Sequence, residues 1–254
     1  MFEVNEKMKI QVVTGIKGRS VVIIDDFYKD PDAVRELALA TKTTAECGSF
    51  PGTRGVYDDR VGSEFNLSKY ATTEVTERLF EVYLKLCKTY FNEFDEEKFN
   101  KNWLDQMFMF NSMNDETLKA NPEGIIPHQD TYANDPSPFQ FGSVVYLNTE
   151  DECAGGTKIY SHYGRITIPE DVAPSWIDPE ELSFHQRDNY LEHIHGHIAV
   201  GDNGSNVGNP YKTEYKIKMK YNRMALYEAD VMHGQDVYKG MFDEYNRINQ
   251  VLFM

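Results

Sequence analysis

The sequence predicts a mainly β domain, an antiparallel barrel or sandwich with helices buttressing one face. Three observations carry that expectation. From Trp103 onward the chain reads as a series of β-like segments separated by turns, while the segments with helical periodicity lie before that point. Strands following N-terminal helices in this way suit a sheet pair or barrel supported from one side. The 254 residues, 41% hydrophobic, 26% charged and 13% aromatic, also have globular composition with ample material for a core.

Taken in order, residues 20–24 (SVVII) form a β-branched run read as a buried strand. Asp30-Pro31-Asp32 then opens a helix through about Thr41, with Asp30 as N-cap, Pro31 in the first helical position and early acids suiting the helix dipole. Residues 43–68 read as loop, with Pro51-Gly52 as a turn signal. The strongest helix runs from Ser68 to about Phe94, where Val75, Leu79, Phe80, Tyr83, Leu84, Leu86, Cys87, Tyr90 and Phe91 recur at helical spacing; it should lie across a sheet. Residues 104–111 (LDQMFMFN), 139–148 (FQFGSVVYLN), 157–161, 221–229 and 247–254 (RINQVLFM) read as strands. Residues 162–220, rich in Pro, Gly, Asn, acids and His, read as a long insert, and long loops of this kind are functional or mobile. One domain, 1–254, accommodates all of this, with 1–103 as strand and supporting helices and 104–254 as the β core.

Charge narrows the partners. With 41 acidic against 26 basic residues the formal net charge is −15, which repels phosphate backbones and anionic lipid, so neither nucleic acid nor a membrane surface is expected. Cys47, Cys87 and Cys153 lie far apart and offer no disulfide framework. No apolar run approaches membrane-spanning length and residues 1–11 lack a signal-peptide centre, so a cytoplasmic, unprocessed protein is expected.

The chemistry centres on Pro127-His128-Gln129-Asp130. On extended backbone, residues i and i+2 project to one side, so His128 and Asp130 can converge on one ion. His-x-Asp alone is weak, because the two residues fall two apart by chance in many proteins, and His128 by itself reads as a turn histidine. His233 follows in Ala229-Asp230-Val231-Met232-His233-Gly234, just after a strand. Two imidazoles and one carboxylate on one face of an octahedron leave three positions open, the ligand set of non-haem iron(II) oxygenases. Arg247 begins the last strand, and a guanidinium pointing into the barrel mouth would bind a carboxylate bidentately; otherwise it is a surface strand arginine. Tyr146 alternates with apolar neighbours in Val144-Val145-Tyr146-Leu147-Asn148, so its hydroxyl either meets such a carboxylate or reaches water at the rim.

With these residues in place the sequence resembles the 2-oxoglutarate/Fe(II) dioxygenase superfamily, closest to its prolyl-4-hydroxylase-like branch, over residues 104–161 and 221–254. The elements stand in that family's order: His128-Gln129-Asp130, VVYLN at 144–148, Gly155-Gly156-Thr157, His233, then Arg247. IIDDFY at 23–28 and DPDAVRELAL at 30–39 also look like the leader of a hydroxylase-like subfamily. The resemblance implies a double-stranded β-helix (jelly roll). It implies Fe(II) on His128, Asp130 and His233 as metal ligands and catalytic centre, and 2-oxoglutarate as cosubstrate with its distal carboxylate on Arg247 and Tyr146. Dioxygen would take the remaining position. Halogenating relatives replace the carboxylate with a small residue, so Asp130 implies hydroxylation. A peptidyl side chain, a free amino acid and a small metabolite all remain open as substrate. The long insert and the stretched His233–Arg247 interval depart from the family pattern.

Other signals lie outside this set. His193, His195 and His197 are either a second metal site or part of a substrate lid. Arg54 either reaches an anionic substrate group or belongs to a plain turn, and residues 112–127, beside the site, are a candidate substrate edge. Two other functions stay open: a cupin-like metal protein without 2-oxoglutarate, for which Arg247 has no use, and a sensor that binds 2-oxoglutarate without turnover.

Overall fold

Alternating and β-branched residues generate strands that pair edge to edge, and the pairing explains the architecture of the computed structural model, which describes residues 2–16, 19–41, 52–55, 73–101, 109–120, 127–130, 140–162, 211–238 and 240–254. In chain order the elements are β1 (Lys9–Ile16), β2 (Arg19–Asp25), α1 (Pro31–Ala40), β3 (Thr53–Gly55), α2 (Thr73–Tyr90), α3 (Glu96–Lys101), β4 (Met109–Met113) and α4 (Asp115–Ala120). β5 (Phe141–Tyr146), β6 (Gly156–His162), β7 (Tyr211–Lys218), β8 (Met224–Glu228), β9 (His233–Asp236) and β10 (Arg247–Phe253) follow. These strands form two antiparallel sheets, one ordered β1-β2-β8-β5-β10-β4-β3 and one ordered β7-β6-β9. The protein is therefore mainly β, as the sequence predicts.

Side-chain alternation gives the large sheet two buried faces. Val22, Ile24, Val145, Leu226, Ile248 and Leu252 join a core with Val34 and Leu37 of α1 and Leu79, Tyr83 and Leu86 of α2. The opposite face contributes Val21, Ile23, Val144, Tyr146, Ala225 and Tyr227 to a second core, shared with Ile159 and Ile217 of the small sheet. With both faces covered, β5 and β8 are buried throughout. α1, α2 and α3 stand on one face, and the site lies on the other, where Leu118 of α4 also packs.

Several elements match their sequence signals. Asp30 caps α1 by accepting a hydrogen bond from the Ala33 amide at 3.1 Å, with Pro31 opening the helix. The long apolar-periodic helix ends at Tyr90; Phe91, Phe94 and Phe99 continue as an aromatic cluster around Phe141. Other segments differ. Residues 211–218, assigned to the insert, form β7 and pair with β6; the expected loop 43–68 contains β3; and the substrate-edge segment 112–127 begins in β4 and contains α4. In each case pairing or capping, not apolar periodicity, creates the element. Among the described residues no helix is long and apolar enough to cross a membrane.

Candidate metal centre

Residues 127–130 form no long strand, yet their backbone is pinned beside the segment that leads into β9. The His128 amide donates to the His233 carbonyl and the His233 amide to the His128 carbonyl, both at 2.8 Å, and the Asp130 amide donates to the Ala229 carbonyl at 2.8 Å. This antiparallel bridge brings two sequence-distant histidines side by side, their rings 4.5 Å apart. Extended geometry at 128–130 then turns His128 and Asp130 to the same side. Gln129 projects the other way, where its side-chain amide donates to the Asp230 carbonyl. Arg19 holds this same turn from outside, paired with Glu228 at 2.8 Å and with Asp230.

One ligand atom from each of His128, Asp130 and His233 lies within 4.8 Å of the others. His128 Nε2 is 3.8 Å from Asp130 Oδ1, and His233 Nε2 is 3.5 Å from Asp130 Oδ2. Cis donors on an octahedral ion with bonds of about 2.1 Å stand about 3 Å apart, so small inward rotations would seat an ion among them. His233 Nδ1 lies 2.9 Å from the Val231 carbonyl. A carbonyl only accepts, so Nδ1 carries the proton and Nε2 turns a lone pair toward Asp130. Burial pushes the His233 pKa down to about 4, so the ring is neutral at pH 7. Burial raises Asp130 to about 6, against opposing pulls from His128 and Arg54, and it is ionised at pH 7. Its Oδ2 is buried and has no hydrogen-bond donor among the described residues. At Asp130 and His233 lone pairs face one another. That is unfavourable when nothing lies between them and favourable around a cation, so the donor set fits a divalent metal.

Arg247 lies close to the small sheet, buried at 3% exposure. Its guanidinium donates to Gln235 Oε1 at 3.0 Å and to the Gly156 carbonyl at 3.5 Å, Nε has no acceptor, and no carboxylate among the described residues pairs with it. Burial lowers its proton affinity, with Tyr146 and Tyr227 opposing. Tyr146 faces the same interior, with Arg247 5.6 Å from its ring centre, and its hydroxyl shares a 2.6 Å hydrogen bond with Thr157 Oγ1. All five predicted site residues therefore face the space between the sheets.

Two neighbours escape the sequence reading. The Tyr227 ring packs 4.5 Å from that of His233. Gly142 pairs with Tyr227 across β5 and β8, and a Cβ there would run into Asp130 Oδ2 and press the Tyr227 ring at 3.0 Å. The glycine is what lets the carboxylate sit over the sheet. Alternation along FGSVVY and MALYE could have put both residues on the Tyr146 face; nothing local ties them to Asp130. His193, His195 and His197, and with them most of the insert, lie outside the described residues.

Fold and site together define a two-sheet β protein with a His/Asp/His cluster between its sheets that could hold a metal ion. The chain belongs to a family described as "Family of unknown function (DUF6445)", whose model matches residues 6–243. No curated protein matches it.

Proposed function

We propose that this protein is an Fe(II)- and 2-oxoglutarate-dependent oxygenase of jelly-roll type that hydroxylates a C–H bond. The observation that carries the reading is the meeting of two incompletely paired groups between the sheets. Three electron-pair donors converge at His128, Asp130 and His233, while Arg247 is buried with no carboxylate partner among the described residues. A dicarboxylate that chelates the metal at one end and meets Arg247 at the other answers both needs.

In this reading His128, Asp130 and His233 would hold the iron. Bound iron supplies activation of dioxygen, with one oxygen atom entering the substrate C–H bond and the other entering succinate as carbon dioxide leaves 2-oxoglutarate. The chain's own residues orient and exclude. Val231 fixes the His233 tautomer, Gly142 makes room for Asp130, and Arg247 with Tyr146 receives the distal carboxylate. The apolar side chains of the second core keep that end dry, which strengthens the ion pair. His128, its side chain 34% exposed, lies on the open side, where substrate would enter.

Anaerobic titration with Fe(II) and then 2-oxoglutarate, followed by admission of oxygen and measurement of succinate, tests the proposal. One iron per chain, 2-oxoglutarate binding that requires it, and succinate formation are expected. His128→Ala, Asp130→Ala and His233→Ala should each lose the iron, and Arg247→Gln should keep iron while losing 2-oxoglutarate. An iron-loaded protein that neither binds nor consumes 2-oxoglutarate sinks the reading.

A further inference from the structure

A polar row on the face of the large sheet that carries Tyr146 has no part in the proposed binding of metal and dicarboxylate. Arg54 in β3 stands opposite Asn111 in β4, Asn111 opposite Asn249 in β10, and Asn249 opposite Tyr146 in β5. Registered partners on antiparallel strands project to the same face, so these side chains share the face of Tyr146. One step further along β10, β4 and β5 on that face stand Val251, Met109 and Val144, which are apolar. Asn111 and Asn249 are each 3% exposed, and neither Oδ1 accepts a hydrogen bond from any described residue. Buried acceptors without donors are destabilising, and native folds leave few of them. Two such oxygens on adjacent strands of one sheet face mark a surface that a ligand's N–H groups would complete. Arg54 adds a cation at the end of the row. Its side chain is half-buried with Nε shut off from solvent, and against the larger effect of burial its charge lowers the proton affinity of the Asp130 carboxylate.

We propose that Arg54, Asn111 and Asn249 form the substrate-recognition subsite, and that the substrate is an α-amino-acid unit whose carboxylate pairs with Arg54 and whose N–H donors meet the two asparagine oxygens. A guanidinium selects a carboxylate by its planar fork of donors. An ammonium or amide N–H next to that carboxylate matches the neighbouring acceptors, and a lone carboxylate or a neutral hydrocarbon does not. A free amino acid and the C-terminal residue of a peptide share this chemistry. The subsite rests on the oxygenase reading for what happens to the substrate, but not for how it is held.

Calorimetric titration of the Mn(II)-loaded protein, with 2-oxoglutarate present and no turnover, tests it. The probes are the proteinogenic L-amino acids, their methyl esters, and tripeptides with free or amidated C-termini. At least one free acid should bind, and its ester or amide should bind at least tenfold more weakly. That comparison uses the unaltered protein, so it does not depend on how any variant folds. Arg54→Gln should weaken the free acid by a similar factor, Arg54→Lys should recover part of the loss, and Asn249→Asp should weaken it by setting a second anion beside the carboxylate. Metal stoichiometry and 2-oxoglutarate affinity should not change in Arg54→Gln. Binding of free amino acids alone, or of free-C-terminus peptides alone, identifies the source and supports the proposal. It is overturned if no free acid binds, if esters bind as well as acids, or if Arg54→Gln leaves acid binding untouched. It is equally overturned if Arg54→Gln abolishes 2-oxoglutarate binding, since the row would then serve the cosubstrate. Metal and 2-oxoglutarate binding with no amino-acid binding would leave the oxygenase standing without this subsite; Arg54-dependent amino-acid binding without 2-oxoglutarate binding would do the reverse.

Discussion

Gly142 shows how one missing methyl group sets the site. The residue is fully paired in β5, with Tyr227 on one side and Phe253 on the other, and its value lies in the space above it. Asp130 occupies that space with a side chain only 8% exposed. Gly142→Ala would drive a Cβ into the carboxylate and against Tyr227. The strand itself tolerates alanine, so the protein should fold, with an overpacking cost of about 1–3 kcal/mol. Metal affinity should fall by about 10–100-fold, the usual effect of displacing the support of a ligand. Titration of Mn(II) into wild type and variant checks this, and unchanged affinity would mean that Asp130 does not need the glycine. His233 depends on its surroundings in a similar way, since the Val231 carbonyl decides which ring nitrogen is free to bind. Neither constraint can be read locally: the sequence shows a glycine and a histidine, and only the fold shows what they face.

At the scale of elements, legibility followed burial. β2, β5, β8 and β10 bury runs of β-branched and aromatic residues, and α1 and α2 carry helical periodicity, so each announces itself in the sequence. β1 (KIQVVTGI) is a mostly exposed edge strand, β7 (YKTEYKIK) alternates charges with aromatic and apolar residues, and β9 is only His-Gly-Gln-Asp. These exist because a partner strand satisfies their backbone, information that lies far away in sequence. The join between β2 and β8 also carries a prediction. Asp25, at the end of β2, pairs with Arg223 at 2.6 Å and Lys220 at 2.9 Å from the turn before β8. The Arg223 hydrogen bond, helped by Lys220 and opposed by burial, holds its pKa below the ordinary carboxylate value. A depressed carboxylate stabilises the fold above its unfolded pKa, so this contribution should be intact above about pH 4 and lost as pH falls below it. Asp25→Asn should cost about 1–2 kcal/mol at neutral pH, with the difference from wild type shrinking on acidification. Urea melts at pH 7 and pH 3 measure both values, and a constant difference would deny the pairing its role.

For the molecule as a whole, the cluster of His128, Asp130 and His233 is where the chain's distant parts are tied together. His128 and Asp130 come from residues 127–130, between α4 and β5 in the chain, His233 opens β9 in the small sheet, and Arg247 opens β10 in the large one. The residue types were legible only as a set, because His-x-Asp alone is weak and gains meaning from the order in which Tyr146, His233 and Arg247 follow it. The convergence was not, because it depends on the reciprocal His128–His233 backbone bridge. A ligand that bridges such separate segments binds the folded state and has little to grip in the unfolded one, so its binding energy adds to global stability. At a free metal concentration of about a hundred times Kd the gain is about 2.7 kcal/mol, which for a chain of this size raises Tm by about 5–10 °C. Calorimetry of the apo protein with and without Mn(II) should show that rise. Asp130→Ala should abolish it, while leaving an apo form at least as stable as the wild-type apo protein, since the variant no longer buries an unmet carboxylate among lone pairs. A metal-induced rise that survives Asp130→Ala would place the ion elsewhere, and with it the chemistry assigned to the gap between the sheets.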